Sequence, residues 1–270
     1  MLNETEGVRL KKVLEKHFTI ALTKQIRLND LNFILDLERF KLMLLTSLFN
    51  KARRINGISK RENRVFTMQE LMSHFETGIR GGAYLFFRKI LNLYVKEAMM
   101  LSQAKAVANW YFVREYCYGS MFRFNAKGEF NIPYGGIAYN KKNFSKKLSH
   151  IFNPAVLQLF KQAKLFNLDF EAFLSRIDLQ AEDFIFVDPP YDSEFSEYDQ
   201  NTFTKSDQKR LADFLIRTNA KWMMVIKETQ FIRDLYTQES IKIIDFDKKY
   251  SYNVRGRNNR MTLHLIITNY

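Results

Sequence analysis

The sequence is poor in cysteine and in clustered metal ligands. Its 270 residues include a single cysteine, Cys117, which excludes an intrachain disulfide framework and a cysteine-based zinc site. The four histidines are scattered without the spacing of metal ligands, so we expect no metal centre. This cysteine content is typical of a protein that works in a reducing cytoplasm.

The sequence also lacks a secretory signal and a membrane-spanning run. Residues 1–18 are charged and have no continuous apolar core, and no stretch of about 18 uninterrupted apolar residues follows. We therefore expect a soluble cytoplasmic protein with no membrane partner. Because 46% of the residues are hydrophobic, the chain can bury a sizeable core, and disorder is not expected to dominate.

Positive charge is in excess. Lys and Arg total 42 against 29 Asp and Glu, a formal net charge of +13. This balance favours a polyanionic partner such as nucleic acid over an acidic small molecule. The alternative is that the lysines reflect an AT-rich genome and are dispersed over the surface.

A long helical region follows the N-terminal elements. Residues 8–19 have the spacing of an amphipathic helix, and residues 25–28 predict a strand that ends at Asn29-Asp30. From residue 34 to about residue 120 the pattern is mostly helical and rich in Lys and Arg. This region is interpreted as an inserted helical module.

Glycines predict two interruptions of that helical region, near Asn56-Gly57 and at Gly78 to Gly82. The second run, GIRGG, has neither the preceding strand nor the following Lys-Ser/Thr pair of a phosphate-binding loop. No phosphate site is therefore assigned to it.

Aromatic and polar residues alternate in the next segment, FRFNAKGEFNIPYGG at residues 122–136. The alternation lies on both sides of Lys127-Gly128. Alternation around a glycine-containing turn predicts a β-hairpin.

The C-terminal part alternates strands and helices, as in an α/β fold. Phe184 to Val187 is a continuous apolar run, which predicts a strand buried on both faces of a parallel sheet. Thr204 and Asp207 form a T-x-x-D capping box before a helix. Strands are also expected at residues 222–226, 241–246 and 263–268, and a helix at residues 230–237.

Asp188-Pro189-Pro190-Tyr191 follows the predicted strand directly, at the sheet edge where α/β folds gather their ligands. A carboxylate and a backbone carbonyl that accept both N–H groups of an exocyclic base amine would localise its lone pair and stabilise charge during attack on a methyl. The proline pair holds the loop stiff, and the tyrosine offers a ring for an extruded base. The alternative is an aspartate that caps the following turn beside a packed aromatic ring.

Two motifs resemble one family. FIFVDPPY is similar to motif IV of the adenine-N6 DNA methyltransferases, and F-R-F-N-x-x-G-E-F-N-x-P-Y-G resembles the hairpin signature of their Dam-like class. The strand that ends at Asp30 and the Y-N-V-R-G-R-N-N-R stretch extend the resemblance over most of residues 20–270.

This resemblance implies an α/β fold, with a Rossmann-like class I methyltransferase sheet and an inserted helical target-recognition domain that carries a β-hairpin. We expect residues 1–50 and 165–270 to form the catalytic core and residues 51–164 to form the DNA-binding insertion.

The resemblance also implies a reaction: methyl transfer from S-adenosylmethionine to adenine N6 in double-stranded DNA, in a restriction-modification or phage-defence setting. The catalytic residues would be Asp188, Pro189, Pro190 and Tyr191. The Asp188 carboxylate and the Pro189 carbonyl would bind the target amine, and Tyr191 would stack on the adenine. Asp188 would also contact the cofactor, and Asp30 would bind its ribose hydroxyls unless Asp30 is an ordinary helix N-cap.

Two groups of residues are predicted to contact DNA. The first lies in the hairpin segment and comprises Tyr118, Arg123, Asn125 and Asn131. The second is a basic turn between the last two strands, suited to phosphates or else an ordinary solvated loop, and comprises Arg255, Arg257 and Arg260. Simple packing is expected for Phe124 and Phe130.

The sequence departs from the family near its N-terminus. A K-W-x-G-G-K-like segment and the F-x-G-x-G loop that encloses the methionine part of the cofactor have no counterpart among its glycines. Three explanations are open: a truncated start, which is favoured, a split enzyme, or a decayed remnant that binds DNA without methylating it. A missing N-terminal segment and a cognate restriction enzyme are therefore possible partners. Action on RNA or on protein glutamine is disfavoured, because Asp188 and the hairpin match the adenine-DNA class.

Overall fold

The computed structural model describes residues 34–121, 123–192, 203–249 and 261–270, together with Val8, Arg9, Lys12, Val13 and Lys16. The five N-terminal positions are helical, in agreement with the helix predicted over residues 8–19. The strand predicted at residues 25–28 lies outside the described residues, as do Asp30, Arg255, Arg257 and Arg260. The chain divides into two compact units, Met1–Lys147 and Leu148–Tyr270.

Three long helices form most of the first unit: α1 (Leu37–Glu62), α2 (Met68–Val95) and α3 (Gln103–Tyr116). Each begins after a residue whose side chain accepts a hydrogen bond from a backbone N–H of the first turn, namely Asp36, Thr67 and Ser102. At α2 the cap is reciprocal, because the Glu70 carboxylate also accepts from the Thr67 N–H. These caps satisfy N–H groups that the helix itself leaves without partners.

The expected glycine interruptions are wrong, because α1 continues through Asn56-Gly57 and α2 continues through Gly78 to Gly82. The glycines of α2 face α1 at close range. A methyl group at Gly82 would lie 2.7 Å from the Leu44 Cα atom, and one at Gly78 would lie 3.2 Å from the Leu48 Cα atom. The GIRGG run is therefore a close helix-packing surface, where the missing side chains let two backbones approach.

The core of the first unit is rich in aromatic side chains. Tyr84 and Phe130 are fully buried, and edge-to-face ring contacts link Phe40, Phe86, Phe87 and Phe112. The packing expected for Phe130 is confirmed, and Phe124 packs against its ring at 5.8 Å between centroids.

The segment that follows α3 contains two short 3-10 helices, Tyr118–Ser120 and Ile137–Lys141. Among the described residues, one antiparallel bridge, Phe124 with Phe130, forms within the predicted hairpin, and a second joins Tyr134 to Cys117 at the end of α3. The turn falls where it was expected, with Gly128 at a φ of 68°. Regular paired strands are replaced by side-chain hydrogen bonds from α2, which are described below.

Helix α4 (Phe144–Ile151) spans the boundary between the units. The second unit continues with α5 (Pro154–Gln162), α6 (Phe170–Leu174), β1 (Phe184–Val187), α7 (Lys205–Arg217), β2 (Lys221–Lys227), α8 (Gln230–Leu235), β3 (Lys242–Lys249) and β4 (Met261–Thr268). The expected capping box at Thr204 and Asp207 and the expected later strands and helix are confirmed.

The strands form a mixed sheet in the order β1-β2-β4-β3. β1 pairs with β2 in parallel, and β4 pairs with β2 and β3 in antiparallel fashion. The described part of the chain is thus a mixed α/β protein with eight α-helices and a four-stranded sheet. None of its described helices is long and apolar enough to cross a membrane.

The second core lies between this sheet and α7 and α8. Trp222, Met224, Ile226, Leu265 and Ile267 are fully buried strand residues, and they pack with Leu211 and Leu215 of α7. The alternation along β2 therefore places one face of the strand in the core.

The expectation that β1 is buried on both faces is wrong for the described residues. Ile185 and Val187 pack against the core, whereas Phe184 and Phe186 are 53% and 58% exposed. Side chains alternate along a strand, so Ile185 and Val187 share the face that packs on the core, and Phe184 and Phe186 lie on the opposite face.

The predicted boundary between residues 50 and 51 falls inside the continuous helix α1. The chain is divided into its two compact units between Lys147 and Leu148. The assignment of particular residues to a catalytic core and an insertion stays a prediction.

Candidate active site and DNA-contacting segment

The Asp188 to Tyr191 loop begins where β1 ends. β1 is parallel to β2, so the carboxyl ends of both strands lie at one edge of the sheet. The Asp188 side chain is exposed there, Pro189 is buried, and Tyr191 is half-buried. Four consecutive predicted residues therefore lie at the edge where parallel strands gather ligands.

Gln208 on α7 holds the loop by a hydrogen bond. Its Nε2 donates to the Pro190 carbonyl at 2.8 Å, and only 1% of the residue is exposed. The Gln208 Oε1 is buried and has no hydrogen-bond partner among the described residues. The described residues donate no hydrogen bond to the Pro189 carbonyl.

A second contact joins the end of the loop to the end of β2. The Thr229 hydroxyl donates to the Asp192 carboxylate at 3.3 Å and accepts from the Ile232 N–H, which caps α8. Thr229 thus ties the loop to the neighbouring parallel strand.

Tyr191 is positioned by a buried histidine of β4. The rings of Tyr191 and His264 meet edge to face, with centroids 5.5 Å apart. His264 is fully buried, and its Nδ1 lies 3.1 Å from the Thr262 carbonyl, so Nδ1 carries the proton in this contact. The contact fixes one edge of the tyrosine ring.

Ion pairs fix α7, which carries Gln208. The Arg210 guanidinium binds Asp207 at 2.8 Å and Asp169 at 3.2 Å, and it also binds Glu171 of α6. Bonds from Thr204 and then from Arg210 lower the pKa of Asp207 to about 2. A carboxylate in this capping box therefore stays ionised at neutral pH.

In the first unit, α2 holds the hairpin segment through side chains four residues apart. Asn92 exchanges two bonds with the Phe130 backbone: its Nδ2 donates to the carbonyl at 3.1 Å, and its Oδ1 accepts from the N–H at 2.8 Å. Arg88 donates to the Ile132 carbonyl at 3.0 Å, and the Tyr84 hydroxyl donates to the same carbonyl at 2.7 Å. Burial raises the pKa of Tyr84 far above its usual value, so the hydroxyl keeps its proton. One face of a helix thus takes the place of a partner strand.

Asn125 builds the turn of the hairpin. Its Oδ1 accepts from the N–H groups of Lys127 at 2.9 Å and Glu129 at 3.0 Å, as in an Asx-turn. Its backbone N–H also donates to the Glu129 carbonyl at 2.8 Å. The oxygen of this predicted DNA contact is therefore already used within the protein.

The other predicted contacts in this segment differ in exposure. Arg123 and Asn131 are exposed, and Tyr118 is half-buried in the 3-10 helix after α3. Beside the segment, α2 borders a cavity of about 440 Å³ whose lining includes Arg88, Lys89 and Lys96. The first unit thus brings cationic side chains together near the hairpin.

Sequence reasoning missed the residues that hold these segments, above all Gln208, Thr229 and His264. A glutamine one position after the capping box and a threonine after β2 have no motif that marks them. The sequence places Tyr84, Arg88 and Asn92 on one helical face, but it does not indicate that they bond to the backbone of the hairpin segment. Among the described residues, no cluster of His, Cys, Asp or Glu could hold a metal ion.

Comparison with known proteins gives a family match and several relatives. The model of a family described as D12 class N6 adenine-specific DNA methyltransferase matches residues 19–252. The chain is 33% identical over 166 residues to the Type II methyltransferase M.CviBI of Paramecium bursaria Chlorella virus NC1A, covering 60% of each chain.

Two other relatives show similar likeness. Type II methyltransferase M.MjaIII of Methanocaldococcus jannaschii is 30% identical over 193 residues, which cover 68% of this chain and 64% of the relative. Retron Ec67 DNA adenine methylase of Escherichia coli is 32% identical over 165 residues, 60% of this chain and 54% of the relative. The chain therefore spans less than two thirds of the length of these curated relatives.

Proposed function

This chain belongs to the D12 class N6 adenine-specific DNA methyltransferase family, and from that premise we propose that it transfers a methyl group to N6 of adenine in double-stranded DNA. The observation that carries the proposal is the position of Asp188-Pro189-Pro190-Tyr191 at the carboxyl end of a strand that is parallel to its neighbour. An exposed carboxylate and an adjacent carbonyl are the acceptors that a base amine needs.

The proposed methyl donor is S-adenosylmethionine. The described loop offers the Asp188 carboxylate and the Pro189 carbonyl, with no cation of the loop beside them. Acceptors of this kind fit a cofactor that carries positive sulfonium and ammonium groups, so the residues present suit it. Asp188 is proposed to contact the cofactor as well as the base, and Asp30 to bind its ribose.

When bound, S-adenosylmethionine supplies an electrophilic methyl group. Asp188 and the Pro189 carbonyl each accept one N–H of the target amine, which concentrates the nitrogen lone pair for attack. The Asp188 carboxylate would stabilise the positive charge that methyl transfer places on the target nitrogen, until one N–H proton leaves the nitrogen for that carboxylate or for water. Tyr191, fixed at one edge by His264, offers its ring to the extruded adenine.

DNA recognition is proposed to involve the hairpin segment, through Tyr118, Arg123, Asn125 and Asn131, and the basic turn that contains Arg255, Arg257 and Arg260. In this proposal a Rossmann-like catalytic core, residues 1–50 and 165–270, carries a helical target-recognition insertion, residues 51–164. The names of the relatives support a restriction-modification setting, with a cognate restriction enzyme as partner.

The test is methyl transfer to duplex DNA by Asp188→Ala and Asp188→Asn variants. Tritiated S-adenosylmethionine is the donor, and nucleoside chromatography of digested DNA identifies the product as N6-methyladenine. We expect both variants to lose methylation while their DNA affinity stays within about twofold of wild type, because the lost bonds serve developing charge.

Asp213→Ala is the matched control, since Asp213 is an exposed carboxylate on α7. It should leave turnover unchanged. Wild-type turnover in Asp188→Ala would contradict the assignment of Asp188 as a catalytic residue. A wild-type protein that binds DNA but methylates none would instead favour a DNA-binding protein without activity.

A further inference from the structure

Two of the four residues in the Asp188 to Tyr191 loop are prolines, and this limits how the loop can be held. Proline has no backbone N–H, so Pro189 and Pro190 cannot anchor the loop by donating hydrogen bonds. Their carbonyls remain strong acceptors. A donor from another part of the fold can therefore fix the direction of these two carbonyls.

Gln208 supplies that donor from a rigid support. Its amide Nε2 lies 2.8 Å from the Pro190 carbonyl. Helix α7 is held by the Thr204–Asp207 capping box, by the Arg210 ion pairs and by buried core contacts of Leu211 and Leu215. Motion of the amide is thus restricted at the point where it meets the loop.

The oxygen end of the same amide differs from its nitrogen end. The Gln208 Oε1 is buried without a hydrogen-bond donor among the described residues. A buried acceptor of this kind destabilises a fold, and an apolar side chain of similar shape would avoid that cost. Among the described contacts of this amide, only the Nε2 bond to the loop favours a glutamine over an apolar side chain.

We propose that Gln208 is a positioning residue for methyl transfer, which by holding the Pro190 carbonyl directs the Asp188 carboxylate and the Pro189 carbonyl toward the target amine. This inference rests on the proposed function. Gln208 itself does not touch the base; it acts through the loop.

The main test is Gln208→Met, which keeps the shape of the side chain and removes the N–H. Small displacements of catalytic groups are costly, so we expect kcat to fall about 10- to 100-fold while the KM for DNA changes less than about twofold. Thermal stability should change little, because the variant also removes the unpaired Oε1.

Gln208→Glu gives a signature that a purely structural role would not produce. A protonated carboxyl can donate to the Pro190 carbonyl, whereas a carboxylate cannot and repels it. Because burial raises the pKa of a carboxyl group, the ratio of kcat for Gln208→Glu to kcat for wild type should fall as pH rises from about 6 to about 9. The same ratio for Gln208→Met should be flat.

Asn269→Leu is the matched control. The Asn269 amide donates to the Ala220 carbonyl and accepts from the Trp222 N–H, both at 2.9 Å, at the opposite end of β2. Its loss should lower the melting temperature and leave kcat unchanged.

Hydrogen exchange of the backbone amides of Asp188, Tyr191 and Asp192 provides a readout that does not depend on activity, and it should be faster in Gln208→Met than in wild type. Unchanged exchange, unchanged kcat in an active Gln208→Met, or a flat pH ratio for Gln208→Glu would each overturn the positioning role. Absence of methylation in the wild type would contradict the proposed function separately, and the exchange result would still decide whether Gln208 fixes the loop.

Discussion

Alanine at Gly82 and alanine at Gly57 should change the stability of the first unit in opposite directions. Both residues lie inside helices, so each substitution gains helix propensity worth about 0.5–1 kcal/mol. At Gly57 a methyl group would meet nothing within 4 Å, so Gly57→Ala should stabilise by that amount.

At Gly82 the gain in helix propensity is outweighed by a steric clash. The new methyl group would lie 2.7 Å from the Leu44 Cα atom and 2.9 Å from the Met43 carbonyl oxygen. These are backbone atoms of α1, so the two helices must move apart. Overpacking of this kind costs about 1–3 kcal/mol, and the smallest of these distances indicates a cost in the upper half of that range, so a net destabilisation of about 1–2.5 kcal/mol is expected.

Urea unfolding measured by the fluorescence of Trp110 follows the first unit alone if the other tryptophan, Trp222, is replaced by phenylalanine in every protein compared. The two alanine variants should then differ by about 2–3 kcal/mol at constant m-value. A Gly82→Ala protein as stable as its parent would refute the close approach of α1 and α2, and a destabilised Gly57→Ala would refute the open surroundings of Gly57.

Two further predictions concern charge. Arg123→Gln should weaken binding to non-cognate DNA and lower the slope of log affinity against log salt by about one, as measured by fluorescence anisotropy. Arg61→Gln at the end of α1 is the control and should leave the slope unchanged. Equal slopes for wild type and Arg123→Gln would place Arg123 away from phosphates. Asp207→Asn should lower the melting temperature at neutral pH. Since the folded pKa of Asp207 is about 2, below the unfolded value of 3.8, its stabilisation is present above about pH 4 and lost as pH falls toward 2. The melting temperatures of wild type and Asp207→Asn should therefore converge in acid, and a constant difference would contradict the role of the carboxylate.

Local signals in the sequence sufficed for several elements. The capping box at Thr204, the apolar alternation of β2 and the turn at Lys127-Gly128 each depend on neighbours within a few residues. The position of Asp188 after a strand was predictable for the same reason. Such features are fixed by local hydrogen bonding and by the periodicity of one element.

Tertiary contacts decided the rest. Gly78, Gly81 and Gly82 would weaken an isolated helix, and the close approach of α1 explains why α2 continues through them. The exposure of Phe186 depends on which face of the sheet is packed against the core, and the apolar run of β1 carries no such information.

The sequence by itself determined which groups the Asp188 to Tyr191 loop offers to the proposed reaction, because a carboxylate, two proline carbonyls and a tyrosine ring are present in any conformation of the loop. Only the tertiary structure decided how the loop is held, since Gln208, Thr229 and His264 come from three different elements that meet through folding. Their contacts span 18 to 73 residues along the chain, a separation at which no local pattern specifies a partner.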